Sequence, residues 1–420
     1  MPENDDKSTA VVFLCGDASN GKITLCDSSL FDKVIHEVAS DGDNLIALCE
    51  EGCYNLSTNG IAANCNFKAT NFCFGTKTNY VLTSKQPIVY SWGEGPYGEL
   101  GLGFCKTKVE EPVPIKHKAS FTSISSGEYH CAALDTVGNA YSWGQNFDRQ
   151  LGLYRNDSSK FKSPNCVVEE VMFVPSLLPF SLLCPIRKIS CGARFTVAIG
   201  RNGDLWSWGA GECGQLGTGR CTRREAPAKV EILVDTAYCL EDTQIMADSA
   251  PNTRNALQIA DVACGDHHVL AVGIDGSLYG WGMNKRGQLG LGGTETKHSP
   301  TLVPSMILST VYANGLSSAG ISPAGDLFTW GSGSKYRLMQ QKVEGEDRQG
   351  DDSNRYVPAY VETLYGNIVH SFAFSRKGSA ALVVTRLYEV SGRIGRRCNT
   401  YRLLITHCFS SLFSPLFLCA

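Results

Sequence analysis

Residues 189–219 read ISCGARFTVAIGRNGDLWSWGAGECGQLGTG, and the rest of the chain is variations on this stretch. Its apolar runs are about five residues long, too short for helices and suited to strands. Asn202-Gly203-Asp204, between the second and third runs, has the chemistry of a tight hairpin turn. The third run ends in Trp208-Gly209, and a glycine-rich loop follows in which Gln215-Leu216-Gly217 makes another turn. The unit therefore reads as strand, turn, strand, hairpin, strand and loop: a small antiparallel sheet.

The Trp-Gly segment recurs as SWGEGPYGELGLG (91–103), SWGQNFDRQLGL (142–153), GWGMNKRGQLGLG (280–292) and the worn TWGSGSKYRLMQQ (329–341). Its tryptophans are Trp92, Trp143, Trp208, Trp281 and Trp330. The period is about 50 residues plus insertions, which marks one supersecondary unit that needs its neighbour to bury an apolar face. At fixed strand positions before glycine, these indoles are expected in the core between sheets rather than in a base-stacking series.

The block upstream of each Trp is also constant: ISSGEYHCAALDTVGNAYSWG (124–144), VACGDHHVLAVGIDGSLYGWG (262–282) and YANGLSSAGISPAGDLFTWG (312–331). Gly127, Gly192 and Gly265 stand sixteen residues before their Trp, and Asn314 takes that place in the last copy. Because asparagine best tolerates a left-handed backbone after glycine, a left-handed angle is expected there. Gly138, Gly203, Gly276 and Gly325, five residues before the Trp, are expected in hairpin turns. Proline-containing EEPVPI and SPTLVP suit outer strands, where a missing N–H is tolerated.

Two weaker copies precede the first Trp: residues 12–23, with Cys15 in its place, and 38–60, with Leu56. Residues 368–390 supply an inner hairpin with no Trp-Gly of its own. The chain thus starts and stops in mid-unit, and its ends can complete one shared blade, which removes free sheet edges. The fold expected is all-β: a closed seven-bladed β-propeller over residues 11–390. An acidic extension (1–10) precedes it, insertions fall at 154–187 and 220–258, an acidic solvated loop at 343–355, and a non-repeat tail at 391–420.

Composition bounds the function. Net charge is −3 from 38 basic and 41 acidic residues, so no basic bulk draws the fold to nucleic acid, and direct nucleic-acid binding is not expected. The 18 cysteines include no Cys-x-x-Cys. Cys131, Cys191 and Cys264 sit at apolar strand positions, as small hydrophobes. They read as reduced thiols of a cytoplasmic or nuclear protein, with no metal site and no cofactor. The tail's apolar run is marginal for a membrane anchor, and a monomer is expected.

These motifs closely resemble the repeats of the regulator of chromosome condensation family, over residues of about 11 to 390 and most specifically in the central four units. In the family's best-known member, acidic and histidine residues of the turns after the constant glycine face the small GTPase Ran and help expel its nucleotide. The resemblance therefore implies partner contacts for Glu128, Arg194, Asp266, His267 and His268, with Asp266-His267-His268 the nearest match. Arg194 and Leu316 depart from the polar or acidic character expected of a Ran exchanger. His130 and His268 also fit a plainer role, tying down loop backbone. No catalytic constellation stands out. The chain reads as a non-enzymatic protein-binding propeller using one loop-rich face. The alternative is a guanine-nucleotide exchange factor for a Ran-like small GTPase. The insertion at 154–187, unusually apolar for a loop, is expected to serve as a docking element.

Overall fold

The computed structural model describes residues 69–386 except 84–86, 104–107, 154–169, 236–253, 343–348 and 375–379, together with strand segments 10–15, 24–25, 35–40, 45–49, 52–56 and 64–65. Among these residues the chain forms seven four-stranded antiparallel sheets. From inner to outer strand, blade one is Ile35–Ser40, Leu45–Cys49, Gly52–Leu56 and Asn64–Cys65. Blade two is Ala69–Phe74, Thr78–Thr83, Val89–Glu94 and Lys108–Pro114. Blade three is Phe121–Ser126, His130–Asp135, Ala140–Gln145 and Val171–Leu177. Blade four is Ile186–Cys191, Phe195–Gly200, Leu205–Gly209 and Arg224–Val230. Blade five is Ile259–Cys264, His268–Gly273, Ser277–Gly282 and Lys297–Ile307. Blade six is Thr310–Asn314, Ser317–Ile321, Leu327–Gly331 and Arg355–Tyr360.

Blade seven joins the two ends of the chain. Asn367–Phe374 and Ala380–Arg386 form its inner half, Ala10–Cys15 and Thr24–Leu25 its outer half. Ala10 lies opposite Thr385 and Cys15 opposite Ala380, antiparallel. Blades one and seven also meet directly, through a hydrogen bond from the Val38 N–H to Ser371 Oγ (3.3 Å). The seven inner strands surround a channel of about 600 Å³ lined by residues of every blade, from Val38 and Phe72 round to Val311 and Phe372.

The constant residues hold one blade to the next. Second strands such as His130–Asp135 and Phe195–Gly200 are buried throughout, because apolar neighbours press on both faces. Trp143, Trp208, Trp281 and Trp330 are fully enclosed. Each indole Nε1 donates to a carbonyl in the preceding blade's loop: Trp143 to Glu99 (2.7 Å), Trp208 to Gln150 (2.9 Å), Trp281 to Gln215 (3.0 Å) and Trp330 to Gln288 (2.9 Å). In blades two, three, four and six the hydroxyl of the residue before the Trp secures its own blade's loop: Ser91 Oγ donates to Leu100 O, Ser142 Oγ to Leu151 O, Ser207 Oγ to Leu216 O and Thr329 Oγ1 to Leu338 O. Trp92 is half-buried. An indole so placed adds large apolar burial and satisfies its one polar atom.

Two expectations need correction. Gly138, Gly203, Gly276 and Gly325 do have positive φ, between 82° and 92°, as hairpin turns require. Gly127, Gly192 and Gly265 do not: they are absent from the left-handed residues, and beside Asn314 it is Gly315 that has φ 57°. What excludes a side chain at these three is close approach. A Cβ on Gly127 or Gly265 would overlap the ring of His130 or His268, and one on Gly192 would overlap Phe195.

The insertions are also shorter than expected. Of 154–187, residues 171–177 are the outer strand of blade three and Pro179–Leu183 form a short helix leading into blade four. The stretch VMFVPSL thus belongs to a strand, while residues 154–169 of the expected docking element lie outside the described residues. Likewise 224–230 within 220–258 is an outer strand, and Leu233–Asp235 pairs with Arg254–Ala256. In the acidic loop, Gln341–Lys342 pairs with Gln349–Gly350. The extension 1–10 (apart from Ala10), most of each insertion's middle and the tail 391–420 lie outside the described residues.

Candidate functional site

Among the described residues, blades two to six each send two connections to the same face. The turn from first to second strand lies against the loop after Trp-Gly, since the N–H of Gln145, Ala210, Met283 and Ser332 donates to the carbonyl of Tyr129, Arg194, His267 and Leu316. The opposite face has the hairpins and the connections between blades.

Around the channel mouth on the loop face, the turns are stitched by backbone hydrogen bonds that run from blade to blade. Thr76 N donates to Glu128 O (3.4 Å), Glu128 N to Ala193 O (2.9 Å), Ala193 N to Asp266 O (3.1 Å) and Asp266 N to Gly315 O (3.1 Å). Such contacts need two backbones side by side: besides the histidine ring, a Cβ on Gly127 would meet the Gly192 carbonyl and one on Gly265 the Gly315 carbonyl.

This ring brings four of the five predicted contact residues to one face. Glu128 and Asp266 line the channel mouth and are half-buried. Arg194 and His267 occupy the next turn position outward, also half-buried, and Arg194 pairs with Asp148 (3.1 Å). His268 is placed elsewhere. Its ring is fully enclosed and its Nε2 meets Ser318 Oγ of blade six at 3.0 Å, so it is withdrawn from any partner. His130 does the same with Thr196 Oγ1 at 3.0 Å. Burial pushes both imidazoles down to about 3. They stay neutral and knit blades.

Half-buried Asp266 lies close to a buried charge, Arg337. Arg337 takes the loop position that Gln150, Gln215 and Gln288 hold elsewhere; burial lowers its pKa while the Asp266 carboxylate opposes that shift. In the equivalent place of blade two stands Glu99, only 2% exposed, whose carboxyl is pushed up to about 7 by burial.

Sequence reasoning missed an aromatic group on this face. Tyr97 packs edge-on against Tyr129 (5.4 Å between ring centres) and Phe147 (5.8 Å), bridging blades two and three. Phe147 is 43% exposed. Arg223 of the next blade reaches Phe147 O at 3.5 Å. A signal was available: Tyr129 stands where other units have Arg194, His267 or Leu316, so its aromaticity owes nothing to the repeat. Among the described residues no three metal-ligating side chains come together, and no helix is long and apolar enough to cross a membrane.

The chain belongs to the RCC1-like domain family, whose pattern matches residues 11–381. It is 28% identical over 317 residues to the ultraviolet-B receptor UVR8 of Arabidopsis thaliana, covering 66% of each chain. It is 30% identical over 271 residues to human protein RCC2, covering 60% of this chain and 48% of that one. The chain thus spans about two thirds of the first relative's length and about half of the second's. The crystal structure of Prp20p from Saccharomyces cerevisiae, a protein described with its binding to Gsp1p and histones, superposes with a TM-score of 0.68. Identity there is 17%, over 91% of this chain and 92% of that one, so this likeness is one of fold.

Proposed function

We propose that this propeller is a non-enzymatic regulator that binds a protein partner on its loop face. The observation that supports the reading best is the Tyr97–Tyr129–Phe147 group, standing partly in solvent beside Glu128 and Arg194. Tyrosine and arginine at the centre of a patch, with charges around them, is the composition of interface hot spots. Family membership supports the coarse reading, a binding scaffold or regulator. Affinity capture with wild type and with Tyr129→Ala/Phe147→Ala tests it. The double variant is expected to lose a partner that the wild type retains. Equal recovery by both overturns the assignment of this face.

The more specific reading is guanine-nucleotide exchange on a Ran-like GTPase. Asp266 at the channel mouth favours it, as does fold likeness to a protein that binds Gsp1p. Exchange would follow from linkage: binding the nucleotide-free GTPase more tightly than the loaded form weakens nucleotide affinity by the same factor. Release of a fluorescent nucleotide from such a GTPase should then accelerate, and Asp266→Ala should blunt the effect. A flat release curve removes this reading and leaves the broader one standing. Residence in the cytoplasm or nucleus accords with either, and fractionation checks it.

A further inference from the structure

On the loop-face rim between blades four and five, the thiol of Cys221 lies 3.3 Å from Nδ1 of His298 and 3.9 Å from Nε2. Cys221 comes from the loop after Trp208-Gly209, and His298 from the outer strand of blade five. The histidine is held in place. Its carbonyl accepts from Gly219 N at 2.9 Å, and its ring covers Gly214 so closely that a Cβ there would collide with Nδ1. Arg220 and Arg223, both exposed, flank Cys221 in sequence; Arg223 reaches the Phe147 carbonyl, and no ion pair engages either arginine among the described residues. Of the described free cysteines Cys221 alone is exposed; Cys73, Cys184 and Cys213 are half-buried, and Cys131, Cys191 and Cys264 are buried.

We propose that Cys221 and His298 form a thiol modification site for anionic low-molecular-weight disulfides of the oxidised-glutathione class. The chemistry is thiol–disulfide exchange. His298 accepts the Cys221 proton, and the resulting thiolate attacks one sulfur of the disulfide. The Cys221–sulfur bond forms as the reagent's S–S bond breaks, and the departing thiolate takes the proton back from the imidazolium. Oxidant and leaving group both belong to the reagent, so no further redox partner is required. Arg220 and Arg223 supply attraction for its carboxylates. Burial raises the thiols of Cys131, Cys184, Cys191, Cys213 and Cys264, which disfavours the competing sites. The site is independent of the partner reading, although an adduct would add bulk and negative charge to the same face.

The test is timed exposure of the whole chain to oxidised glutathione, followed by peptide mapping by mass spectrometry. The first adduct is expected on Cys221. His298→Gln should slow it by about tenfold at pH 7, where an unassisted thiol is only a few per cent ionised, and move its pH profile upward. The His298 side chain is exposed, so this variant should keep its fold, and circular dichroism checks that. Arg220→Gln/Arg223→Gln should slow glutathione but leave an uncharged hydroxyethyl disulfide unaffected. First modification at another cysteine, or an unchanged rate and pH profile in folded His298→Gln, overturns the proposal. Equal loss with both reagents overturns the role of the arginines.

Discussion

Replacing Glu99 by glutamine should stabilise the propeller at alkaline pH and leave it unchanged in acid. Gln150, Gln215 and Gln288 each use Oε1 to accept the backbone N–H two residues earlier, at 2.9, 2.8 and 2.9 Å. Glu99 does the same with Oε2 and the Tyr97 N–H at 2.7 Å. Its backbone carbonyl meanwhile receives both the Trp143 indole and the Tyr80 hydroxyl (2.6 Å), so the residue stands at the junction of blades two and three. A glutamine there keeps every one of these bonds. What it removes is a carboxyl that must ionise in a site only 2% exposed.

The sign follows from the two states. Unfolded, the carboxyl ionises near 4.5; folded, burial pushes it up to about 7. Below the lower value both states are protonated, and the side chain contributes no pH dependence. Between the two values the folded state holds a proton that the unfolded state has released, so stability falls as pH rises. Above about 7 the deficit is complete, with a ceiling of about 3 kcal/mol for that difference. Partial hydration at the rim should reduce it to about 1–2 kcal/mol. Denaturant unfolding followed by tryptophan fluorescence, for wild type and Glu99→Gln at pH 4.5, 6 and 8, reads this directly. The midpoints should coincide at the lowest pH and separate progressively above it. A constant separation, or none at pH 8, refutes the reasoning.

Three further outcomes are open to measurement. Gly192→Ala should cost more than about 3 kcal/mol, because the Phe195 ring fills the space a Cβ needs, whereas Gly293→Ala, with nothing within 4 Å, should stay within about 0.5 kcal/mol. Trp208→Phe should lower the unfolding midpoint by the equivalent of about 1–3 kcal/mol, since it leaves the Gln150 carbonyl without its indole donor and opens space in the core. His130→Gln/His268→Gln should flatten the acid limb of the stability curve. Both imidazoles are held near 3 when folded, so the wild type loses stability as pH falls below the ordinary histidine range, and the glutamine pair should not.

The blades were legible because their signals are local and repeated. Trp-Gly, the hairpin glycines and the hydroxyl residue before four of the five tryptophans recur at fixed spacing, and each does the same task in every unit where it survives. The shared blade was legible too, as an excess of strand at one end of the sequence and a deficit at the other. The role of Gly127, Gly192 and Gly265 was not. A glycine is demanded equally by a left-handed angle and by a neighbouring ring or backbone, and the second cause lies in side chains three positions on and in the next blade. The loop face was legible only in outline. Placing Asp266 and His267 there requires knowing which turns share a face, which the repeat supplies. Separating His268 from His267 requires knowing which way a strand's first residue points, and adjacent residues of a strand point oppositely. The Tyr97–Tyr129–Phe147 group joins positions from three different loops, so no single motif contains it.

The worn sixth unit shows how far the repeat is dictated by its neighbour. In the intact units the glycine of Gln-Leu-Gly has positive φ, and a Cβ there would lie 2.7–3.1 Å from the next blade's indole: Gly152 under Trp208, Gly217 under Trp281, Gly290 under Trp330. Blade six has Met339 at this position, with φ 55°, buried beside Leu338, Val361, Leu364 and Phe372. The third strand of the next blade is Ala10–Cys15, and the sequence there reads Cys15-Gly16 where other units have Trp-Gly. Where no indole is supplied, glycine is no longer required, and a long flexible side chain occupies the core between blades six and seven despite a conformation that disfavours it. Tyr336, at φ 61°, and Arg149, at φ 65°, likewise replace the glycine three positions earlier in their loops. Arg149 forms an ion pair with Glu225 of the next blade, 3.5 Å away. Departures from the repeat in this chain are therefore read most productively across the blade boundary, in the residue that the neighbour offers or withholds.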